Sequence, residues 1–210
     1  MNQPPLRLYV DSLYTSPYAM SVFVTLREKG LAFDQVTLDL DAAQNQTADF
    51  AHLSLTQRVP TLVEGDFALS ESSAITEYLD QAYPETRVYP ADPKQQARAR
   101  QVQAWLRSDL LPIRQERSTM VVFYGQKMPP LTAVAEAAAA KLISASQALL
   151  AGNPPYLFGE WCIADVDLAV MLNRLILNGD SVPVELVAYV QRQWQRPSVQ
   201  EWVNQPRPAL

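Results

Sequence analysis

Residues 58–79 read RVPTLVEGDFALSESSAITEYL. Two short apolar runs, Thr61 to Val63 and Phe67 to Leu69, flank Glu64-Gly65-Asp66, which supplies turn chemistry between two strands. After the second run, Ser70 or Glu71 opens a helix that carries Ile75, Tyr78, Leu79 and Tyr83 on one side. Pro60 stands immediately before the first strand, a position where a proline is tolerated because no ladder N–H is needed there. Trans is the default for the Val59–Pro60 bond. A cis peptide would turn the Val59 backbone outward and offer its N–H and C=O to a ligand.

Upstream, Leu6 to Val10 (LRLYV) is β-prone and bounded by Pro4–Pro5 and Asp11–Ser12. Pro17 to Lys29 carries apolar residues at helical spacing and stops at Gly30. Phe33 to Leu38 reads as a second strand. These three segments make a β-α-β unit, which favours a parallel pair. Residues 41–53 are polar and irregular, with room for one short helix. Downstream, Pro84, Pro90 and Pro93 punctuate a linker. Beyond it the periodicity is helical, over Ala97–Leu111, Thr132–Leu150, Ile163–Asn178 and Val184–Gln193.

The whole chain has 210 residues, 48% of them hydrophobic and 19% charged, with a net charge of -5. That composition is globular, and the negative balance argues against a nucleic-acid partner. Cys162 is the only cysteine and His52 the only histidine. An internal disulfide, a Cys-x-x-Cys redox pair and a cysteine-rich zinc site are therefore excluded, and a hydrolase triad has only one histidine to use. The first residues, MNQPPLRLYV, lack a basic-then-apolar leader pattern, and no run reaches eighteen apolar residues. A soluble cytoplasmic protein with no metal and no membrane contact is expected.

Several constellations bear on chemistry. In LYTSPYAM, Ser16 precedes Pro17 at the start of the first helix, where a serine caps free N–H groups and an anion is also stabilised. In Glu71-Ser72-Ser73, the serines and the acid suit a helix cap. They also suit an α-amino-acid clamp, with Ser72 and the helix N–H groups on a carboxylate and Glu71 on the adjacent ammonium. Cys162-Ile163-Ala164-Asp165 has the spacing of a capping box, with Trp161 and Val166 at the staple positions. Cys162 also admits a redox role, and Asp165 with Asp167 a metal pair, although the cap explains Asp165 better. Arg107, Arg114 and Arg117 share a helical face if the helix survives Pro112, as a solvated stripe or as a cleft lining for anions.

In chain order, TSPYAMSVFVTLREKG, RVPTL, LSESSAITEYL, a proline-bearing linker and WCIADVDLAV resemble the cytosolic glutathione S-transferases, over nearly the whole chain. ARARQVQAWLRSDLLPIRQER with LFGEWCIADVDLA is similar to the bacterial YfcF-type members. The resemblance implies an α/β thioredoxin-like glutathione-binding domain (residues 1–84), a linker (85–96) and an all-helical domain (97–210). It also implies a homodimer with one site per subunit between the domains. Pro60 matches the family's cis proline, Val59 the backbone partner of the cysteinyl unit, and Glu71 and Ser72 the γ-glutamyl clamp. Gln57 and Arg58 are candidates for the glycine end of glutathione. Ser16 matches the catalytic serine of serine-type classes, with Tyr9, Tyr14 and Tyr18 as secondary candidates. Tyr18, Trp105, Arg114 and Tyr124 are candidates for the electrophile pocket. The implied activity is attack of the glutathione thiolate on small electrophiles, and on peroxides as a second reaction. Isomerisation fits less well, because Ser-Pro-Tyr replaces a Ser-Ser-Cys run. The alternative is a non-catalytic interaction or regulatory module on the same fold.

Overall fold

The structure, a computed structural model, describes residues 5–210, so Pro4, read as part of the first strand's boundary, lies outside the described residues. The described chain forms two compact units.

The first unit contains the residues up to Val88 together with Glu201–Leu210. Its sheet is built from β1 (Leu6–Asp11), β2 (Phe33–Leu38), β3 (Thr61–Glu64) and β4 (Phe67–Ser70), in the order β2-β1-β3-β4. β1 and β2 are parallel, joined through α1 (Pro17–Glu28), while β3 and β4 run antiparallel to their neighbours. A 3-10 turn (Gln44–Gln46) and α2 (Ala48–Leu53) lead into β3, and α3 (Ser72–Ala82) follows β4. This is the thioredoxin-like arrangement. Apolar side chains from both layers close its core: Leu8, Val10, Val22, Leu26, Leu62, Ile75 and Leu79 are all at most 1% exposed. Trp202 is also fully buried here, its ring 5.3 Å from that of Phe23 and 5.8 Å from that of Tyr14.

The hairpin turn is tighter than the three residues read from sequence. Glu64 joins β3, leaving Gly65 and Asp66, and Gly65 takes a φ of +62° that a side chain would resist. Glu64 is held by its side chain, whose carboxylate accepts the hydroxyls of Tyr78 at 2.5 Å and Tyr83 at 2.6 Å. The polar segment 41–53 does contain one short helix, α2, which starts where Thr47 accepts the Phe50 N–H.

The second unit, Tyr89–Gln200, is helical: α4 (Pro93–Ser108), α5 (Leu111–Glu116), α6 (Thr119–Tyr124), α7 (Ala133–Leu149), α8 (Ile163–Ile176) and α9 (Val184–Trp194). A last helix, α10, spans Pro197–Val203. α8 is the centre of the second unit. Nearly every one of its residues is buried, as expected of a helix that is apolar all round, and α4, α6, α7 and α9 pack against it. α4 begins four residues earlier than its periodicity suggests. Asp92 accepts the N–H groups of Lys94 at 3.1 Å and Gln95 at 2.9 Å, and Pro93 takes the first helical position, where its missing N–H costs nothing. No described helix is long and apolar enough to cross a membrane.

Candidate active site

The strand register brings three separated segments to one end of the sheet. Tyr9 pairs with Thr61, and Thr61 pairs with Ser70. The end of β1, the start of β3 and the end of β4 therefore lie side by side. At that end the chain continues into the Ser16 loop, comes in through Val59–Pro60, and leaves through Glu71–Ser72.

Ser16 is the N-cap of α1. Its Oγ accepts the Ala19 N–H at 3.2 Å, and Pro17 occupies the first turn. Because the cap uses an oxygen lone pair, the hydroxyl proton stays available as a donor. The side chain is half-buried. The backbone N–H of Ser16 donates to Asp11 Oδ1 at 3.0 Å, and Thr15 donates to Oδ2 through its N–H at 2.6 Å and its hydroxyl at 2.9 Å. Tyr14 has a φ of +52°, and its carbonyl accepts Arg207 Nη2 at 3.1 Å. The Tyr9 ring lies 5.5 Å from that of Phe50 in a tilted pair, and Tyr18 sits in the first turn of α1.

The Val59–Pro60 peptide is cis. The loop ahead of it is braced from within: Thr61 Oγ1 donates to the Arg58 carbonyl at 2.9 Å and pairs with the Ser54 hydroxyl at 2.9 Å. Asn45 Nδ2 donates to the Gln57 carbonyl at 2.8 Å, and Gln57 has a φ of +51°. The side chains of Gln57 and Arg58 are exposed.

Glu71 is a cap by position but not by its side chain. It occupies the N-cap position of α3 yet makes no side-chain cap bond, and its carboxylate is exposed. Its backbone lies at φ +76°, ψ +112°, a region costly for any residue with a Cβ. Strain of this kind costs on the order of 1–3 kcal/mol and gathers at functional sites. Ser72 follows at the first helical position and is 4% exposed.

In the helical unit, Trp105 on α4 donates its indole N–H to Asp109 at 2.9 Å, and Arg114 on α5 donates to the Leu106 carbonyl at 2.9 Å. Those two therefore gather at the α4–α5 junction, while Tyr124 ends α6. The single arginine face is overturned, because the helix breaks after Ser108. Arg107 pairs with Asp167 at 3.0 Å, and Arg117, 1% exposed, forms a two-pronged pair with Asp180 at 2.6 and 2.8 Å. Both are internal ties of the unit, and their acids lie about sixty residues away, beyond the reach of a local reading.

The capping box is present. Asp165 accepts the Cys162 N–H at 2.9 Å, and the reciprocal contact onto the Cys162 sulfur is its weak half. Asp167 belongs to the Arg107 network, so the two acids serve different partners. Cys162 is fully buried, and burial, with the Asp165 charge adding to it, pushes its thiol far above the ordinary value. A thiol kept protonated in this way is no nucleophile, which removes the redox reading. Cys162→Ser is expected to change stability by no more than about 1 kcal/mol, a better cap offsetting the buried hydroxyl, and to leave turnover unchanged. Urea unfolding alongside an activity assay checks both.

Residues 12–87 match the family described as glutathione S-transferase, N-terminal domain, and residues 92–206 match glutathione S-transferase, C-terminal domain. A glutathione transferase homologue from Burkholderia, solved with bound glutathione, is 46% identical and superposes with a TM-score of 0.78, over 96% of this chain and 97% of that one. Glutathione S-transferase T3 of Arabidopsis thaliana is 28% identical over 97% of this chain, and glutathione S-transferase theta-3 of Mus musculus is 35% identical over 60% of it. The chain spans 35% of the length of the plant protein and 53% of the mouse protein. With both domain matches falling on a thioredoxin-like unit and a helical unit in the order read from the sequence, the chain belongs to the glutathione S-transferase family.

Proposed function

We propose that the protein is a glutathione transferase that presents the glutathione thiolate to small electrophiles. The observation that carries this reading is the convergence of Ser16, Val59–Pro60 and Glu71–Ser72 at one end of the sheet, with Glu71 in a costly backbone conformation and its carboxylate uncommitted to the cap. The Burkholderia homologue, whose structure holds glutathione, supports the same ligand.

Glutathione binding belongs to residues 1–84 in this reading, and the electrophile site to residues 97–210, joined by 85–96. Glu71 holds the γ-glutamyl ammonium, Ser72 and the N–H groups of α3 hold its carboxylate, and the Val59 backbone pairs with the cysteinyl unit. Gln57 and Arg58 meet the glycine end. Tyr18, Trp105, Arg114 and Tyr124 meet the electrophile. Ser16 donates its hydroxyl proton to the sulfur. An ordinary thiol of pKa about 8.5 is only about 3% thiolate at neutral pH. A hydrogen bond to a charged acceptor contributes roughly 1.5–3 kcal/mol, and the N-terminus of α1 adds about 0.3–1 kcal/mol. At about 1.4 kcal/mol per pKa unit, these lower the thiol by about one to three units, which raises thiolate from a few per cent to roughly 40% at the low end and to nearly all of the bound form at the high end. The sulfur then attacks the electrophilic carbon and expels the leaving group; on a peroxide it attacks oxygen instead, the O–O bond breaks and the alcohol leaves, and a second glutathione converts the sulfenic acid formed on the first to the disulfide and water.

The kinship with YfcF-type bacterial transferases, a homodimeric assembly, a cytoplasmic location and a role in oxidative-stress defence or detoxification complete the proposal.

Calorimetric titration of glutathione into the wild type and Glu71→Ala tests the reading. Wild-type binding, weakened about ten- to hundredfold in the variant, is the expected result, since the lost charge-assisted contact is worth roughly 1.5–3 kcal/mol. Absence of binding to the wild type at millimolar glutathione would replace the enzyme by an interaction module on this fold.

A further inference from the structure

The loop between β1 and α1 is fastened by an acid to which the chemistry above gives no part. Asp11, the last residue of β1, is 4% exposed. Its carboxylate binds three donors on two consecutive residues: the Thr15 N–H and hydroxyl on Oδ2, and the Ser16 N–H on Oδ1. Its own carbonyl accepts the Tyr14 N–H at 3.0 Å. Residues 14, 15 and 16 are thus all tied to one residue of the sheet. On the Ser16 side chain the Oγ is committed to the Ala19 N–H, so rotation of the hydroxyl proton is the freedom that remains.

We infer that Asp11 is a positioning residue for Ser16: it holds the cap of α1 against the end of β1, so that the Ser16 hydroxyl points its proton at the place where a thiolate forms. This rests on the reading of Ser16 given above. Asp11 acts through geometry, not charge, because a carboxylate close to a forming thiolate opposes it. The two effects therefore have opposite signs. Loss of the Asp11 charge alone would favour the thiolate. Loss of the position of Ser16 disfavours it, and small displacements at a reacting centre cost large factors in rate.

The test measures the pKa of bound glutathione, from thiolate absorbance across pH, in the wild type, Asp11→Asn, Ser16→Ala and the double variant. It adds KM for glutathione and kcat/KM for an activated aryl chloride. Asp11→Asn is expected to raise the bound thiol by about one unit and to lower kcat/KM at neutral pH about tenfold, with KM for glutathione within about twofold. In the Ser16→Ala background the same change should leave the thiol where it is or lower it. A thiol pKa unchanged or lowered in Asp11→Asn overturns the inference, as does an equal rise in both backgrounds. If Ser16→Ala itself leaves the bound thiol unchanged, the reading of Ser16 fails and takes the inference with it. Should Asp11→Asn not fold, Thr15→Val removes one of the three donors, and a smaller rise in the same direction is expected. No rise in a folded Thr15→Val protein overturns the inference equally.

Discussion

Ser16→Ala is expected to slow glutathione transfer about ten- to hundredfold at neutral pH, the equivalent of one to two pKa units in the bound thiol. The lost donor contributes only where the sulfur is charged, so the deficit appears in kcat/KM and shrinks as pH rises past about 8.5, where the thiol ionises unaided. The variant also loses the cap that accepts the Ala19 N–H, at about 1 kcal/mol of stability. Ser16→Asn separates the two effects. Asparagine caps as well as serine, so the stability should return while the rate stays low. Initial rates with an activated aryl chloride across pH, paired with thermal unfolding, make the comparison. Turnover in Ser16→Ala equal to that of the wild type would remove Ser16 from the chemistry.

Asp165→Ala is expected to destabilise the protein by about 3–5 kcal/mol. Asp165 has no exposed surface and accepts the Cys162 N–H at 2.9 Å, the Leu157 N–H at 2.8 Å and the Tyr189 hydroxyl at 2.8 Å. Burial pushes its carboxyl above the ordinary range, against the pull of these donors. Each donor stranded without water costs about 1–3 kcal/mol, and the costs do not add fully because all three sit around one group. The site is the N-terminus of α8, on which the second unit packs, so little relaxation is open to it. Asp165→Asn keeps the shape but turns an amide NH2 toward a donor, so a loss of about 1–3 kcal/mol is expected. Tyr189→Phe removes one partner and should cost about 1 kcal/mol. Urea unfolding at unchanged m reads all three. A midpoint for Asp165→Ala within 1 kcal/mol of the wild type would mean that the N-terminus of α8 is stabilised by something else.

What a local reading could recover follows from the range of the forces involved. The hairpin around Gly65, the Ser16 cap and the Cys162–Asp165 box all depend on residues within three or four positions of one another, and their residue types state the geometry directly. The start of α4 was within reach too, since Asp92-Pro93 is a cap followed by a first-turn proline. It lay hidden among prolines that also suit a linker. α5 and α6, six residues each, are too short to display a period.

By itself, then, the amino-acid order determined the strands and longer helices, the two-part architecture, the Ser16 cap, the Cys162–Asp165 box and the family resemblance, because each is written in neighbouring residues. Tertiary structure alone decided the rest. It set the costly backbone of Glu71, the pairing of Arg107 with Asp167 and of Arg117 with Asp180, the burial of Trp202 against Phe23, and the hold of Asp11 on the Ser16 loop. Most of these join groups far apart in the chain, and the Glu71 and Asp11 geometries depend on packing that the chain order does not state. Their energies appear only once the fold has removed water from around them and left each polar group one partner to find.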